Sequence, residues 1–169
     1  MGAIPISVQS GPLIARARNK VHDLFLTETD ADYLLWTDSD IIFTSEDVTH
    51  LAEHDADIVS GLYYGKDNDG QVFPVYTQQG PKNILYRPQE PPGGMGEVFG
   101  IGMGFCLIRR DVIESLTPVW ALYPFAEMAY GKQRAVGEDV AFCIRARKKG
   151  WRVWLDPSVR VGHKKDVVL

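Results

Sequence analysis

The chain has 169 residues, close to half of them hydrophobic and about a quarter charged, with a formal charge of -4. That length fits one domain with a real core and falls short of two, and the composition excludes a disordered chain. The mild acidity gives no electrostatic reason to expect DNA or RNA as the main partner, because the largest basic cluster, Arg145-Ala146-Arg147-Lys148-Lys149, reads as the solvated end of a helix.

From Ala15 to Leu26, "ARARNKVHDLFL" spaces Ala17, Val21, Leu24 and Phe25 as one face of an amphipathic helix. "DYLLW" follows as a short continuous apolar run, the pattern of a strand covered on both faces. "TSEDVTHLAEH" opens with Thr44 or Ser45 as N-cap and carries acids in its first turn, so a second helix is expected there, with Val48, Leu51 and Ala52 on its inner face. "ADIVSGLYY" is the next buried strand, and the three together predict a strand, crossover helix, strand unit of an α/β protein.

Between residues 65 and 98, Gly, Pro, Asn and Gln break the pattern into edge strands and loops. "VFGIGMGFCLIRRDVIESL" restores order as a glycine-laced strand running into a helix that starts near Asp111. Residues 117 to 134 are aromatic and proline-rich without periodicity, as in a long loop over a site, and Trp120, Tyr123, Phe125 and Tyr130 are candidate walls for an acceptor. "GEDVAFCIRARKKG" has acids at its start, bases in its last turn and Gly150 as a stop, which predicts a helix. "WRVWLDPSVRVGHKK" is expected to close the chain as strand, proline turn and strand. Cys106 and Cys143, both flanked by apolar residues, read as small core side chains, which fits a reducing compartment. With no basic-then-apolar leader and no apolar stretch of the roughly 18 residues that cross a bilayer, a cytoplasmic protein without a membrane span is expected.

The D-x-D spacing occurs at Asp30/Asp32, Asp38/Asp40, Asp55/Asp57 and Asp67/Asp69, so spacing alone selects nothing. Asp38 and Asp40 differ in standing at the carboxyl end of a buried strand, where open α/β sheets bind ligands. Two carboxylates a few ångströms apart repel by about 1 kcal/mol in water and about 4 at an effective dielectric of 20. A divalent cation reverses that sign, and oxygen ligands suit Mg²⁺ or Mn²⁺, whose open positions phosphate oxygens fill. Two further features are Glu138-Asp139 at a helix start, where acids complement the helix dipole, and His163 after the last strand. Taken singly, neither marks a site.

Taken together and in this order, "LLWTDSDIIF", "DIVSGLYY", "GIGMGFCLIRRDVIE", "VGEDVAFCIRARKKGWRVWLDP" and "VRVGHKK" resemble the nucleotide-sugar glycosyltransferases of the GT-A fold, the family 2 group especially. The resemblance runs over residues 12 to 165. It implies an α/β, Rossmann-related domain over residues 1–169 with a mixed, mainly parallel central sheet, flanking helices, a small antiparallel subsheet and an abbreviated N-terminal nucleotide-binding part. It assigns Asp38 to the ribose or diphosphate side of the donor, Asp40 to the metal with Asp38 beside it, and His163 to completing the coordination of Mn²⁺ or Mg²⁺. Asp139, paired with Glu138, matches the general base of inverting enzymes. Arg18 and Asn19 match a segment lining the donor pocket, Gly102 and Gly104 a backbone passing close to the sugar, and Lys164 the donor side beside His163.

The implied reaction is transfer of a sugar from a nucleotide-diphosphate sugar to a hydroxyl of a glycan or other acceptor, and an oligomer is compatible with it. Two alternatives stand beside it. One is a non-catalytic module binding a sugar nucleotide or glycan. The other is a Mg²⁺-dependent phosphohydrolase of the haloacid-dehalogenase type, whose pattern wants a small residue and Thr or Val where Ile41-Ile42-Phe43 stand.

Overall fold

The computed structural model describes residues 4–6, 14–67, 69–116, 125–127 and 133–164. Helix α1 (Ile14–Glu28) forms where expected, but its buried face carries Ala15, Arg18, His22 and Phe25. Val21 packs against the core only half-buried and Leu24 is half-buried as well, because two polar side chains find partners inside. Arg18 pairs with Glu138, and His22 stands edge-on to Trp36 and Phe142. Strand β1 (Tyr33–Thr37) leads through the Asp38–Asp40 turn into β2 (Ile41–Ile42).

Helix α2 (Ser45–Glu53) begins with a capping box: the Thr44 hydroxyl accepts from the Asp47 N–H while the Asp47 carboxylate accepts from the Thr44 N–H. Such a cap is worth about 1 kcal/mol. Then come β3 (Ile58–Leu62), buried throughout, β4 (Tyr64–Lys66), β5 (Val72–Pro74), β6 (Tyr76–Gln79), β7 (Leu85–Tyr86), β8 (Gly96–Glu97) and β9 (Gly100–Ile101). Strand β10 (Phe105–Arg109) runs directly into α3 (Arg110–Ser115). Beyond it, β11 (Phe125–Glu127) pairs with β12 (Gln133–Ala135). Helix α4 (Glu138–Lys148) is followed by Gly150 at φ 95°, a left-handed position that glycine takes without strain. Strands β13 (Val153–Arg160) and β14 (Gly162–His163) complete the described chain.

The fold is mixed α/β. Its main sheet has the order β1-β10-β3-β13-β8, with two- and three-stranded antiparallel sheets around it. The expectation of a mainly parallel sheet is corrected here: β13 and β3 are its one parallel pair, and the other three pairings are antiparallel. The strand, helix, strand unit does send β1 and β3 in the same direction, yet β10 lies between them and runs against both. The register sets Trp36 opposite Cys106 and Cys106 opposite Ser60. A second correction concerns Pro157, which sits inside β13 and not in a turn. The register between β13 and β3 shifts between Asp156 and Arg160, an irregularity that accommodates a residue with no N–H to donate.

Alternate β10 side chains serve two cores, as the period of a strand dictates. Cys106 and Ile108 join Phe25, Leu34, Phe142 and Cys143 on the side of α1, α3 and α4, while Phe105 and Leu107 join Ile41, Leu51, Val59 and Val159 on the side of α2. Both cysteines are buried and free, as expected. Among the described residues, no helix is long and apolar enough to cross a membrane.

Candidate functional site

The turn that follows β1 is fixed by backbone bonds. The Asp38 N–H donates to the Gly104 carbonyl at 2.9 Å, and the Ile41 N–H donates to the Asp38 carbonyl at 3.1 Å. Asp38 is therefore anchored to the loop before β10, and Asp40 to the short β2. Strand β14 pairs with β2, setting His163 opposite Ile41, and the Lys164 N–H donates to the Asp40 carbonyl at 2.7 Å. This pairing carries a residue 123 positions distant onto the aspartate: His163 Nε2 stands 3.0 Å from Asp40 Oδ2.

The other ring nitrogen, Nδ1, is 3.0 Å from the Tyr64 carbonyl oxygen. A carbonyl can only accept, so Nδ1 carries the proton. In a neutral ring Nε2 is then a lone pair facing a carboxylate oxygen, and two acceptors at 3.0 Å need a positive charge between them or on the ring. A metal ion supplies the first, and a backbone carbonyl holding the far ring nitrogen is the usual support of a ligating histidine. Asp38 was expected as a third ligand. The structure joins Asp40 and His163 only, since the three donor atoms do not all come within 4.8 Å of one another. The Asp38 backbone is tied to Gly104 on the far side of the turn.

Asp38 nonetheless belongs to the same electrostatic neighbourhood. Its carboxyl is pushed up from the ordinary range by the surrounding protein, pulled back by Arg18, pushed up again by Asp40, and influenced by His163 and Glu138. Arg18 Nη1 lies 2.9 Å from Glu138 Oε1, and the guanidinium carbon is 5.5 Å from the Trp36 ring centroid. Helix α1 thus reaches the start of α4 through a buried ion pair, with Asn19 half-buried next to it.

At the start of α4, Asp139 Oδ1 accepts from the Val140 N–H at 2.7 Å. Burial pushes its carboxyl up, the Val140 bond lowers it, Glu138 raises it and Arg18 lowers it, with a net shift upward. Glu138, Asp139 and Gly102 line a cavity of about 390 Å³ whose other walls include Phe73, Arg87 and Val136.

Gly102 and Gly104 are explained by Tyr63. A Cβ at Gly104 would stand 2.8 Å from the Tyr63 ring, and one at Gly102 would meet the Tyr63 hydroxyl and come within 2.6 Å of Val75 Cγ1. The Tyr63 hydroxyl accepts from the Gly104 N–H at 2.9 Å, and its ring stands edge-on to His163 at 6.0 Å. Tyr63 is therefore the internal strut of the site, and no sequence signal distinguished it from any other strand aromatic. Lys164 is exposed and bound here through its backbone. Of the expected acceptor walls, Trp120, Tyr123 and Tyr130 lie outside the described residues, and Phe125 is described only as part of β11.

A group that the sequence reading did not single out lies at the other end of α2, where His50, His54 and Asp156 bring three donor atoms within 4.8 Å of one another.

No family model and no curated protein matches the chain. Among solved structures the chain is similar to A197 from STIV, at 26% identity and a TM-score of 0.62, over 92% of this chain and 70% of that one.

Proposed function

We propose that the chain is a metal-dependent glycosyltransferase with a GT-A-type fold, moving a sugar from a nucleotide-diphosphate sugar to an acceptor hydroxyl. The observation that carries this reading is the meeting of Asp40 and His163 across β2 and β14, with His163 Nε2 3.0 Å from the carboxylate and Nδ1 held by the Tyr64 carbonyl. Asp40 and His163 would hold Mn²⁺ or Mg²⁺, and the ion would supply Lewis-acid stabilisation of the charge that appears on the departing diphosphate. In the transfer, the acceptor oxygen bonds to the sugar's anomeric carbon as the bond from that carbon to the phosphate oxygen breaks. The electron pair leaves with the diphosphate, and the hydroxyl proton passes to Asp139.

Two features of Asp139 suit a base. It borders the cavity, and its raised carboxyl lies closer to working pH than an ordinary aspartate, which improves proton capture. Arg18 pairs with Glu138 beside it, and its charge also offsets part of the upward push on the Asp139 carboxyl.

The test is a panel of nucleotide sugars incubated with the full chain and Mn²⁺, read as release of nucleoside diphosphate, with Asp139→Asn run in parallel. The proposal expects Mn²⁺-stimulated release by the native chain and a fall of about 10²-fold or more in Asp139→Asn with donor binding retained. Binding without release across the panel would make the chain a sugar-nucleotide module, and inorganic phosphate from simple phosphoesters would make it a phosphohydrolase.

A further inference from the structure

His50 and His54 are four residues apart on α2, so the helix repeat sets their rings on one face, with centroids 5.5 Å apart. Both Nε2 atoms aim at the same oxygen of Asp156, on β13: His54 at 2.7 Å and His50 at 3.5 Å. The carboxylate is held for that purpose from behind, because its other oxygen accepts from the Ser158 N–H at 2.8 Å and the Ser158 hydroxyl at 2.6 Å. Asp156 is 2% exposed, so a charge there needs compensation.

We propose that His50, His54 and Asp156 form a zinc-type divalent metal site, separate from the Asp40–His163 centre and independent of the glycosyltransferase reading. Two imidazoles and one carboxylate are the ligand set of three-coordinate protein zinc sites that keep a fourth position open. Two imidazole nitrogens to a single carboxylate favour Zn²⁺ over Mg²⁺ or Ca²⁺, which are bound mainly by oxygen. The spacing agrees as well. Bonds of about 2.0–2.1 Å in a tetrahedron set ligand atoms about 3.4 Å apart. The His50–Asp156 separation of 3.5 Å already meets that distance, and the His54–Asp156 contact of 2.7 Å opens by a fraction of an ångström to admit the ion.

The location adds to the fit. His50 lies in the last turn of α2 and His54 is its C-cap, where the helix's unsatisfied carbonyls favour a cation. Half of the His50 side chain is exposed, so the fourth position opens to solvent for water or an incoming ligand. An ion here clamps the end of α2 to β13, the strand that leads to β14 and His163.

The experiment uses the full chain stripped with a chelator, then titrated with Zn²⁺ against a competing chelator, and with Co²⁺ as a visible-absorbing substitute. The proposal expects one equivalent of zinc bound, intense tetrahedral-type Co²⁺ absorption, and a loss of at least about tenfold in affinity in His50→Ala. His50 is half-exposed, so this variant keeps the fold; His54→Ala should show the same loss. His163→Ala should leave zinc affinity unchanged, which separates this site from the other centre. Absence of zinc uptake, uptake indifferent to His50→Ala, or uptake abolished by His163→Ala would overturn the assignment.

Discussion

Replacing Arg18 by methionine keeps most of the side chain's volume and removes its charge from a site where 5% of it is exposed. Its partner Glu138, 2.9 Å away and 19% exposed, then faces Asp139 and the Asp38 neighbourhood without that guanidinium. Breaking a buried pair from one side costs about 3–5 kcal/mol, against about 0.2–1 for an exposed one. Because Glu138 keeps some contact with water, the lower end applies, and the lost cation–π contact with Trp36 adds up to about 1 kcal/mol. A loss of about 3 kcal/mol lowers the melting temperature of a chain this size by roughly 6–12 °C. Urea unfolding of Arg18→Met, Glu138→Gln and the double variant measures it. The double variant should recover a large part of the single Arg18→Met loss, because it also removes the stranded carboxylate. A cost below about 1 kcal/mol for Arg18→Met, or strict additivity of the two single changes, would refute a coupled buried pair.

Two more predictions concern stability. Burial, then the charge of Arg18, lowers His22 from 6.5 to about 4, so between those values the unfolded chain binds more protons than the folded one. Stability from this residue is complete above about pH 6.5 and is lost as pH falls toward 4, by roughly 3 kcal/mol in all; His22→Phe should flatten that part of a stability-versus-pH curve, and an unchanged slope would contradict it. Gly102→Ala forces a methyl against Tyr63 and Val75 and should cost about 1–3 kcal/mol, whereas Gly93→Ala, with nothing within 4 Å of its added carbon, should change stability by less than about 0.5. Equal melting temperatures for the two glycine variants would show that Tyr63 yields more readily than its packing implies.

Local chemistry made much of the fold legible. Thr44 and the acids after it marked the start of α2, and Gly150 marked the end of α4, because caps act over a few residues. The apolar runs at Tyr33–Thr37 and Ile58–Leu62 predicted buried strands, since both faces of the sheet are covered. Pairing order was not legible. Nothing in "FCLIR" says that it lies between β1 and β3, because pairing order depends on segments distant in the chain and not on the strand's own residues. The buried face of α1 was legible only in part, with Phe25 buried and Val21 packed against the core, because Arg18 and His22 look solvent-facing until the partners from α4 and β1 are present.

In the site, Asp38 and Asp40 stood out by their place at the end of a buried strand, His163 was expected only from the resemblance, and the contact between Asp40 and His163 needed the pairing of β2 with β14. The His50–His54 spacing stood in plain view in "HLAEH", but two histidines one helical turn apart say little without Asp156, 102 residues away from His54.

The central claim is that Asp40 and His163 share one cation, and Mn²⁺ binding tests it most directly. With His50→Ala as background to silence the other metal group, the free-Mn²⁺ spin-resonance signal is followed on titration in the presence of nucleoside diphosphates. Asp40→Ala and His163→Ala should each abolish the bound fraction, and combining them should add nothing further, since both remove the same site. Full Mn²⁺ binding in either single variant, or two losses that accumulate independently, would contradict a shared ion.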